Sequence, residues 1–122
     1  MPDFTDQDAA RLRSMVDTHV RAIVDHDPDA FVATCGEDIV FFPPGEAPVR
    51  GKAACRQFLE DFPTPSAFTA EVGDADGVAD LGFTSGRVTG TFEDGTEQTM
   101  SFVAVHRRQA DGSWRMIRDI WN

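Results

Sequence analysis

Basic residues are scarce in this sequence, and their scarcity limits what the protein can bind. The 122 residues include 11 lysines and arginines against 21 aspartates and glutamates, so the formal net charge is −10 at pH 7. A surface this negative repels the phosphate backbone of nucleic acids and the anionic headgroups of membranes. We therefore exclude nucleic acid and membrane surfaces as partners, and expect a neutral, cationic or protein partner.

Cysteine is also rare, since Cys35 and Cys55 are the only two in the chain. A disulfide framework needs further pairs, and a zinc site needs neighbouring cysteines or histidines, which neither residue has. Free cysteine is among the most buried residue types. The pattern therefore favours two buried thiols in a reducing cytoplasm.

Long apolar runs are absent as well. No segment approaches the roughly 20 apolar residues that cross a bilayer. The opening segment from Met1 to Asp6 carries no basic residue and leads into no apolar stretch. We therefore expect neither a secretory signal nor a membrane anchor, which is consistent with a cytoplasmic protein.

The composition is otherwise that of an ordinary globular protein, with 41% hydrophobic and 26% charged residues. A chain of this size buries roughly two-thirds of the surface that its unfolded form exposes, which is enough for one core. The sequence contains no repeat, low-complexity tract or linker-like run. We therefore expect a single domain over residues 1–122.

The first half of the chain has helical spacing. Thr5 followed by Asp8 is typical of a capping box, and apolar residues then recur every three or four positions. This predicts a first helix from about Asp6 to Asp25, with His19 on its buried face.

Two shorter helices and one strand follow in the prediction. Asp27 before Pro28 signals the start of a second helix that ends near Cys35. The apolar run from Ile39 to Phe42 predicts a brief strand, which Pro43-Pro44-Gly45 stops. After a loop, helical spacing resumes at about Ala53 and ends at Pro63, which predicts a third helix.

From Phe68 onward the pattern changes to the alternation of strands. Asp94-Gly95 and Asp111-Gly112 each stand between alternating runs and predict β-hairpins, because these turns need positive φ. Asp74 to Gly77 is predicted to form another turn. The alternating runs are Phe68–Val72, Val78–Phe83, Val88–Phe92, Met100–His106 and Trp114–Trp121. Helices followed by hairpins predict an α+β fold with helices on one face of an antiparallel sheet.

This order of elements, together with two sequence phrases, carries a family resemblance. One phrase runs from Pro43 to Lys52, and the other is the chain end from Gly112 to Asn122, where the last strand closes on Asp-x-Trp. They resemble the SnoaL-like group of the nuclear transport factor 2-like superfamily, which also holds the ketosteroid isomerases. The resemblance covers nearly the whole chain. It implies a cone-shaped, cystatin-like antiparallel sheet curved around a long first helix, with two shorter helices and an apolar cavity open at one end.

The catalytic residues of ketosteroid isomerases are nevertheless missing. Those enzymes use an aspartate base near the end of the first strand, a tyrosine on the first helix and a protonated aspartate that holds the enolate oxygen. The resemblance places these positions at Phe42 or Pro43, at His19 and at Ala104, and the sequence has no tyrosine. Because neither phenylalanine nor proline can act as a base, we do not expect steroid isomerisation by that mechanism.

Three ionisable residues are predicted to face the cavity instead. His19 lies on the apolar face of the first helix, His106 alternates in step with Phe102, and Asp119 alternates in step with Trp121. In an antiparallel hairpin His106 and Asp119 would be diagonal neighbours. Imidazole titrates near neutral pH, and a carboxylate can orient it and stabilise its cation.

His19, His106 and Asp119 therefore form the candidate catalytic site. SnoaL-like cyclases rely on an aspartate as acid or base in the cavity, and the resemblance makes Asp119 the position for it. In this hypothesis Asp119 and His106 exchange protons while His19 polarises a carbonyl or hydroxyl of a compact apolar ligand.

Each of the three residues also has a structural alternative. His19 could be a core histidine, and His106 could be exposed near a turn. Asp119 could form an ion pair with a nearby arginine; the candidates are Arg87, Arg107, Arg115 and Arg118.

Apolar side chains are expected to line the cavity around these residues. The predicted substrate-binding residues are Met15, Phe42, Phe58, Phe102, Ile117 and Trp121. We expect a small-molecule-binding protein, an isomerase, cyclase or lyase that needs no cofactor and no metal. The alternative is a non-catalytic ligand-sensing or dimerisation domain. The resemblance also implies a homodimer formed through the outer face of the sheet.

Overall fold

The first helix begins where the sequence predicts it. In the computed structural model, which describes residues 3–122, α1 spans Asp6–Val24. The Thr5 hydroxyl accepts from the Asp8 backbone N–H, and the Asp8 carboxylate accepts from the Thr5 backbone N–H. This reciprocal capping box satisfies two backbone donors at the helix start. No helix among these residues is long and apolar enough to cross a membrane.

Two shorter helices follow, α2 over Pro28–Val32 and α3 over Lys52–Asp61. Asp27 caps α2 as predicted. The helix ends earlier than predicted because the backbone N–H of Met116 donates to the Thr34 carbonyl at 2.9 Å. That bond draws the following residues into the sheet.

Six strands form one sheet in the part of the chain that the structure describes. They are β1 (Cys35–Phe42), β2 (Val49–Arg50), β3 (Ala67–Val78), β4 (Leu81–Thr91), β5 (Glu97–Arg108) and β6 (Trp114–Trp121). Their order across the sheet is β2-β1-β6-β5-β4-β3. Neighbouring strands are antiparallel except β1 and β6, which run parallel. The α+β prediction is therefore confirmed, with one parallel pair that was not foreseen.

The strands in the second half are longer than predicted. Asp74–Gly77, predicted as a turn, lies inside β3, and the chain reverses instead at Ala79 and Asp80. Continuous pairing of β3 with β4 overrides the local turn signal here. The two predicted hairpins are confirmed, because Gly95 and Gly112 have φ of +83° and +87°, which glycine adopts without strain.

The sheet bends around α1 at a bulge in β3. The register between β3 and β4 shifts between Val72 and Asp74, and such bulges bend and twist a strand. Gly86 of β4 lies so close to the backbone of β3 that an added Cβ would be 2.0 Å from the Glu71 carbonyl oxygen. Arg13 of α1 donates to the Val72 carbonyl at 3.3 Å, which ties the helix to the bend.

At one end of the sheet α1 packs directly onto the strands. A Cβ added to Gly82 of β4 would lie 2.7 Å from Leu12 Cδ1. Beside this contact, Arg108 donates to the Asp8 carboxylate at 3.1 Å, and its guanidinium lies 4.8 Å from the centre of the Trp114 ring. Asp8 also accepts from Trp114 Nε1 at 3.3 Å. These contacts join the start of α1 to β5 and β6 and close this end of the cone.

The Asp8 carboxylate is expected to stabilise the fold. Hydrogen bonds from Thr5, together with those from Trp114 and the charge of Arg108, hold the pKa of Asp8 below its usual range. This contribution is present above the ordinary aspartate pKa of about 4 and is lost as pH falls through the lowered value. Asp8→Ala should reduce the free energy of unfolding by about 2 kcal/mol, measured by urea denaturation at pH 7.

The matched control is Asp6→Ala, which removes an exposed acid from the same helical turn. It loses only a favourable interaction with the helix dipole, so its effect should stay below about 1 kcal/mol. Equal losses in the two variants would contradict the role assigned to Asp8.

Candidate functional site

Away from the closed end, α1 and the sheet enclose an apolar cavity of about 100 Å³. Of the described side chains that line it, only His19 and Asp119 are ionisable. The rest of the wall is aliphatic, aromatic or thioether, and includes Val16, Phe31, Phe41, Phe58, Met100 and Trp121. A cavity with this composition suits a compact apolar ligand whose orientation is set by a few polar groups.

The Asp119 carboxyl lies in this cavity without a hydrogen bond or ion pair to any residue from 3 to 122. Its neighbours across the sheet are Ala104 on β5 and Phe41 on β1. Neither side chain can bond to a carboxylate. Desolvation therefore raises the pKa of Asp119 to about 7.

The structural alternative for Asp119 is not realised, because the candidate arginines are engaged elsewhere or lie on the other face. Arg115 donates to the Ala33 carbonyl, and Arg118 donates to the backbone carbonyls of Asp38 and Ile117. Arg107 pairs with the Asp38 carboxylate at 3.0 Å. Arg87 is exposed on the outer face of β4, where its register partner is Ser101.

His19 is held in place by Thr34 and Phe31. Its Nε2 lies 2.7 Å from Thr34 Oγ1, and its ring stacks on Phe31 with centroids 4.4 Å apart. Burial, with a smaller contribution from His106, lowers the pKa of His19 to about 3. The imidazole is therefore neutral at physiological pH.

The hydrogen-bond network assigns the tautomer of His19. The Thr34 hydroxyl donates its single hydrogen to the Phe31 carbonyl at 2.7 Å, so it must accept from His19 Nε2–H. In a neutral imidazole the other nitrogen, Nδ1, then carries a lone pair and no hydrogen. None of residues 3–122 donates to that nitrogen.

His106 is buried on the concave face but does not line the cavity. It has no exposed surface, and its cross-strand partner is Gly82, where Leu12 of α1 approaches. Burial lowers the pKa of His106 to about 4. Both ring nitrogens lack a partner among the described residues, as does the hydroxyl of Thr84. The expected contact between His106 and a ligand is therefore not found, because α1 covers that part of the sheet.

The expected diagonal arrangement of His106 and Asp119 is changed by a bulge in β6. Ala104 of β5 pairs with Asp119, but His106 pairs with Met116. Two residues along β5 therefore correspond to three along β6, and β6 contains one extra residue. That residue, Ile117, is buried yet outside the cavity wall. The prediction that Ile117 lines the cavity is corrected for this reason.

Two further predicted lining residues are also displaced from the wall, while Phe58, Phe102 and Trp121 lie in it. On β1 it is Phe41, not Phe42, that faces the cavity, because a shift of one residue reverses the face of a strand. On α1 the wall contains Val16 rather than Met15.

Thr34 and Phe31 were missed as site residues. Their contacts with His19 come from the turn after α2, and no local pattern in the sequence points from this turn to the first helix. Met100 was also missed, although its alternation with Phe102 could have identified it.

The two cysteines are free and buried, as predicted. Burial raises the pKa of Cys35 to about 12 and that of Cys55 to about 11. Neither thiol is a nucleophile at neutral pH, since thiolate formation is needed for reactivity. Within residues 3–122 no cluster of three potential metal ligands is found.

The stability of the protein should report the ionisation of Asp119. Its folded pKa of about 7 exceeds the unfolded value of about 4, so the stability supplied by the neutral acid is complete below pH 4 and is lost as pH rises through 7. Asn mimics the neutral acid. Asp119→Asn should therefore match the wild type near pH 4 and exceed it at pH 8 by on the order of 3 kcal/mol in urea denaturation.

The control for this comparison is Asp17→Asn, which changes an exposed acid on α1. Its stability should run parallel to that of the wild type over the whole pH range. A parallel curve for Asp119→Asn would instead show that Asp119 is not a desolvated acid.

Comparisons with known proteins agree with this architecture. The family model described as SnoaL-like domain matches residues 16–117, whereas no functionally curated protein is significantly similar in sequence. A ketosteroid isomerase-like protein from Erwinia carotovora atroseptica superposes with a TM-score of 0.83 at 20% identity, covering 96% of both chains.

Two further solved structures share the fold. An NTF2-like protein of unknown function from Pseudomonas putida has a TM-score of 0.81 at 21% identity, covering 97% of this chain and 87% of that one. A domain with a cystatin-like fold from Nostoc punctiforme has a TM-score of 0.85 at 14% identity, with 97% and 78% covered. These structures share the fold of this chain, and because the family match extends over most of the sequence, the chain belongs to the SnoaL-like domain family.

Proposed function

We propose that the protein binds a compact, largely apolar molecule in the cavity and that Asp119 transfers a proton to or from a hydroxyl or carbonyl compound there. The reaction class would be isomerisation, cyclisation or elimination without a cofactor. One observation carries the proposal: a carboxyl in an apolar cavity that pairs with none of residues 3–122, with its pKa raised to about 7.

This pKa suits Asp119 to act in both directions. A group that titrates near the working pH is present as acid and as base in comparable amounts, which favours general acid–base catalysis. The carboxylate form is poorly solvated in the cavity and is therefore a stronger base than an exposed aspartate. The neutral form can return the proton to the same ligand.

His19 supports a hydroxyl or enol as the ligand group. Its Nε2–H donates a hydrogen bond to the Thr34 hydroxyl oxygen, so only the lone pair on Nδ1 is available to a bound molecule. That lone pair accepts a hydrogen bond from an O–H but cannot polarise a carbonyl by donating to it. The role first expected for His19 is therefore revised, and His106, which lies outside the wall, is assigned no contact with the ligand.

The competing function is ligand binding without chemistry. The family and the neighbouring structures support the fold and a domain of ligand-binding or isomerase type, and they name no activity for this chain. The two functions differ in one consequence. A catalyst loses turnover without Asp119, whereas a sensor has no turnover to lose.

The test begins with a thermal-shift panel of hydrophobic ketones, alcohols and aromatic compounds, followed by product analysis for each compound that binds. For a compound that is converted, Asp119→Asn should lower kcat by about 10²- to 10⁴-fold while the affinity changes little. Asp17→Asn should retain full activity. Binding without conversion across the panel would favour the sensor, and full activity in Asp119→Asn would contradict the proposed mechanism.

We also propose that the protein is a cytoplasmic homodimer that pairs through the outer face of the sheet. Phe83, Val103 and Ile120 expose between 37% and 39% of their surface on this face, and Leu81 exposes 52%. Val103 and Ile120 are directly paired across β5 and β6. An apolar patch of this kind is a common site of association between identical subunits.

Val103→Asp should therefore convert the dimer to a monomer in size-exclusion chromatography with light scattering. The introduced charge would be desolvated in the interface without a partner. Ser14→Asp, an exposed position on α1, which covers the opposite face of the sheet, serves as the control and should remain dimeric. A wild-type protein that is monomeric at high micromolar concentration would contradict the proposal.

A further inference from the structure

A larger groove borders the cavity. This groove has a volume of about 550 Å³ and shares four wall residues with the cavity, namely Phe58, Phe62, Met100 and Trp121. A ligand longer than the cavity, with its apolar end inside, would pass these shared residues and place its other end in the groove. The side chains of the groove would then select the chemical group at the outer end of the ligand.

The groove is acidic and contains no cation. Its ionisable wall residues are Glu46 and Asp61, and no lysine, arginine or histidine lines it among the described residues. Asp61 is also the last residue of α3. The negative end of the helix dipole therefore points to the same opening.

Three of the chain segments that form the groove contain no basic residue. Residues 43–49, 57–66 and 91–100 contain no lysine or arginine, and their acids are Glu46, Glu60, Asp61, Glu93, Asp94 and Glu97. Of these, Glu60 has a cationic neighbour, Arg56, at 3.8 Å. A negative field at the opening of a low-dielectric cavity favours cations and disfavours anions.

We propose that the ligand has two parts, an apolar end that enters the cavity and a cationic end, such as an ammonium group, that lies in the groove beside Glu46 and Asp61. This inference rests on the proposed binding of an apolar molecule and adds its second group. A carboxylate or phosphate at the outer end is disfavoured, because the groove offers no positive charge to pair with it.

A matched series of three probes tests the proposal by isothermal titration at pH 7.5: 4-phenylbutylamine, 4-phenylbutan-1-ol and 4-phenylbutanoate. They share the apolar body and differ only in the outer group. The amine should bind about 3- to 10-fold more tightly than the alcohol, and the carboxylate more weakly, since each partly exposed charge pair contributes modestly. The differences should shrink at 0.5 M NaCl, where exposed charges are screened.

The double variant Glu46→Gln/Asp61→Asn assigns the selectivity to the groove. It should bind the alcohol as the wild type does and should lose most of the preference for the amine. The control Glu37→Gln, which changes an exposed acid on β1 away from the groove, should keep the preference. A preference that survives in the double variant but disappears in Asp119→Asn would overturn the inference, because the cation would then pair with Asp119 inside the cavity.

Failure of this inference is distinguishable from failure of the proposed function. Equal affinities for the three probes would contradict the acidic selectivity while leaving the apolar cavity as a binding site. Absence of binding by all three would contradict both.

Discussion

The structure depends on how closely the curved sheet approaches α1 at each end of the helix. At the closed end, Leu12 of α1 packs against Gly82 of β4 so closely that any side chain at position 82 would clash with it. Beyond the bend in the sheet, the helix and the strands separate far enough to leave an apolar cavity. The same two elements therefore form a tightly packed core at one end of α1 and enclose an apolar cavity further along it.

This difference in spacing between helix and sheet explains why His19 and His106, which both face the inside of the fold, have different surroundings. His106 lies opposite Gly82 and is sealed beneath the helix. His19 lies further along α1 and reaches the cavity wall, where Thr34 fixes its orientation. Burial keeps both imidazoles neutral, but of the two only His19 lines the cavity.

Asp119 is where burial in the cavity carries an energetic cost for the fold. An acid with no hydrogen-bond partner in an apolar environment destabilises the folded state whenever it ionises. Asp8 at the closed end is the opposite case, because Thr5, Trp114 and Arg108 all bond to its carboxylate. Local violations of the packing rules that are compensated elsewhere are typical of functional sites.

The sequence by itself determined the elements whose signals are local. The capping box of Thr5 and Asp8 and the glycines at positions 95 and 112 each act through their own backbone neighbours, and all appear as predicted. The alternation in β6 also placed Asp119 and Trp121 on one face. A family resemblance carried by the order of these elements was sufficient to identify the fold.

Tertiary structure alone decided the details of the site. The bulge that moves Ile117 out of the wall, the parallel pairing that brings Phe41 beside Asp119, and the contact of Thr34 with His19 all join distant parts of the chain. Because strand register and helix approach are set by the packing of the whole sheet, no local pattern could reveal them. The candidate residues His19 and Asp119 and the faces they occupy were visible in the sequence, but the lack of a partner for Asp119 among the described residues, and hence its raised pKa, was not.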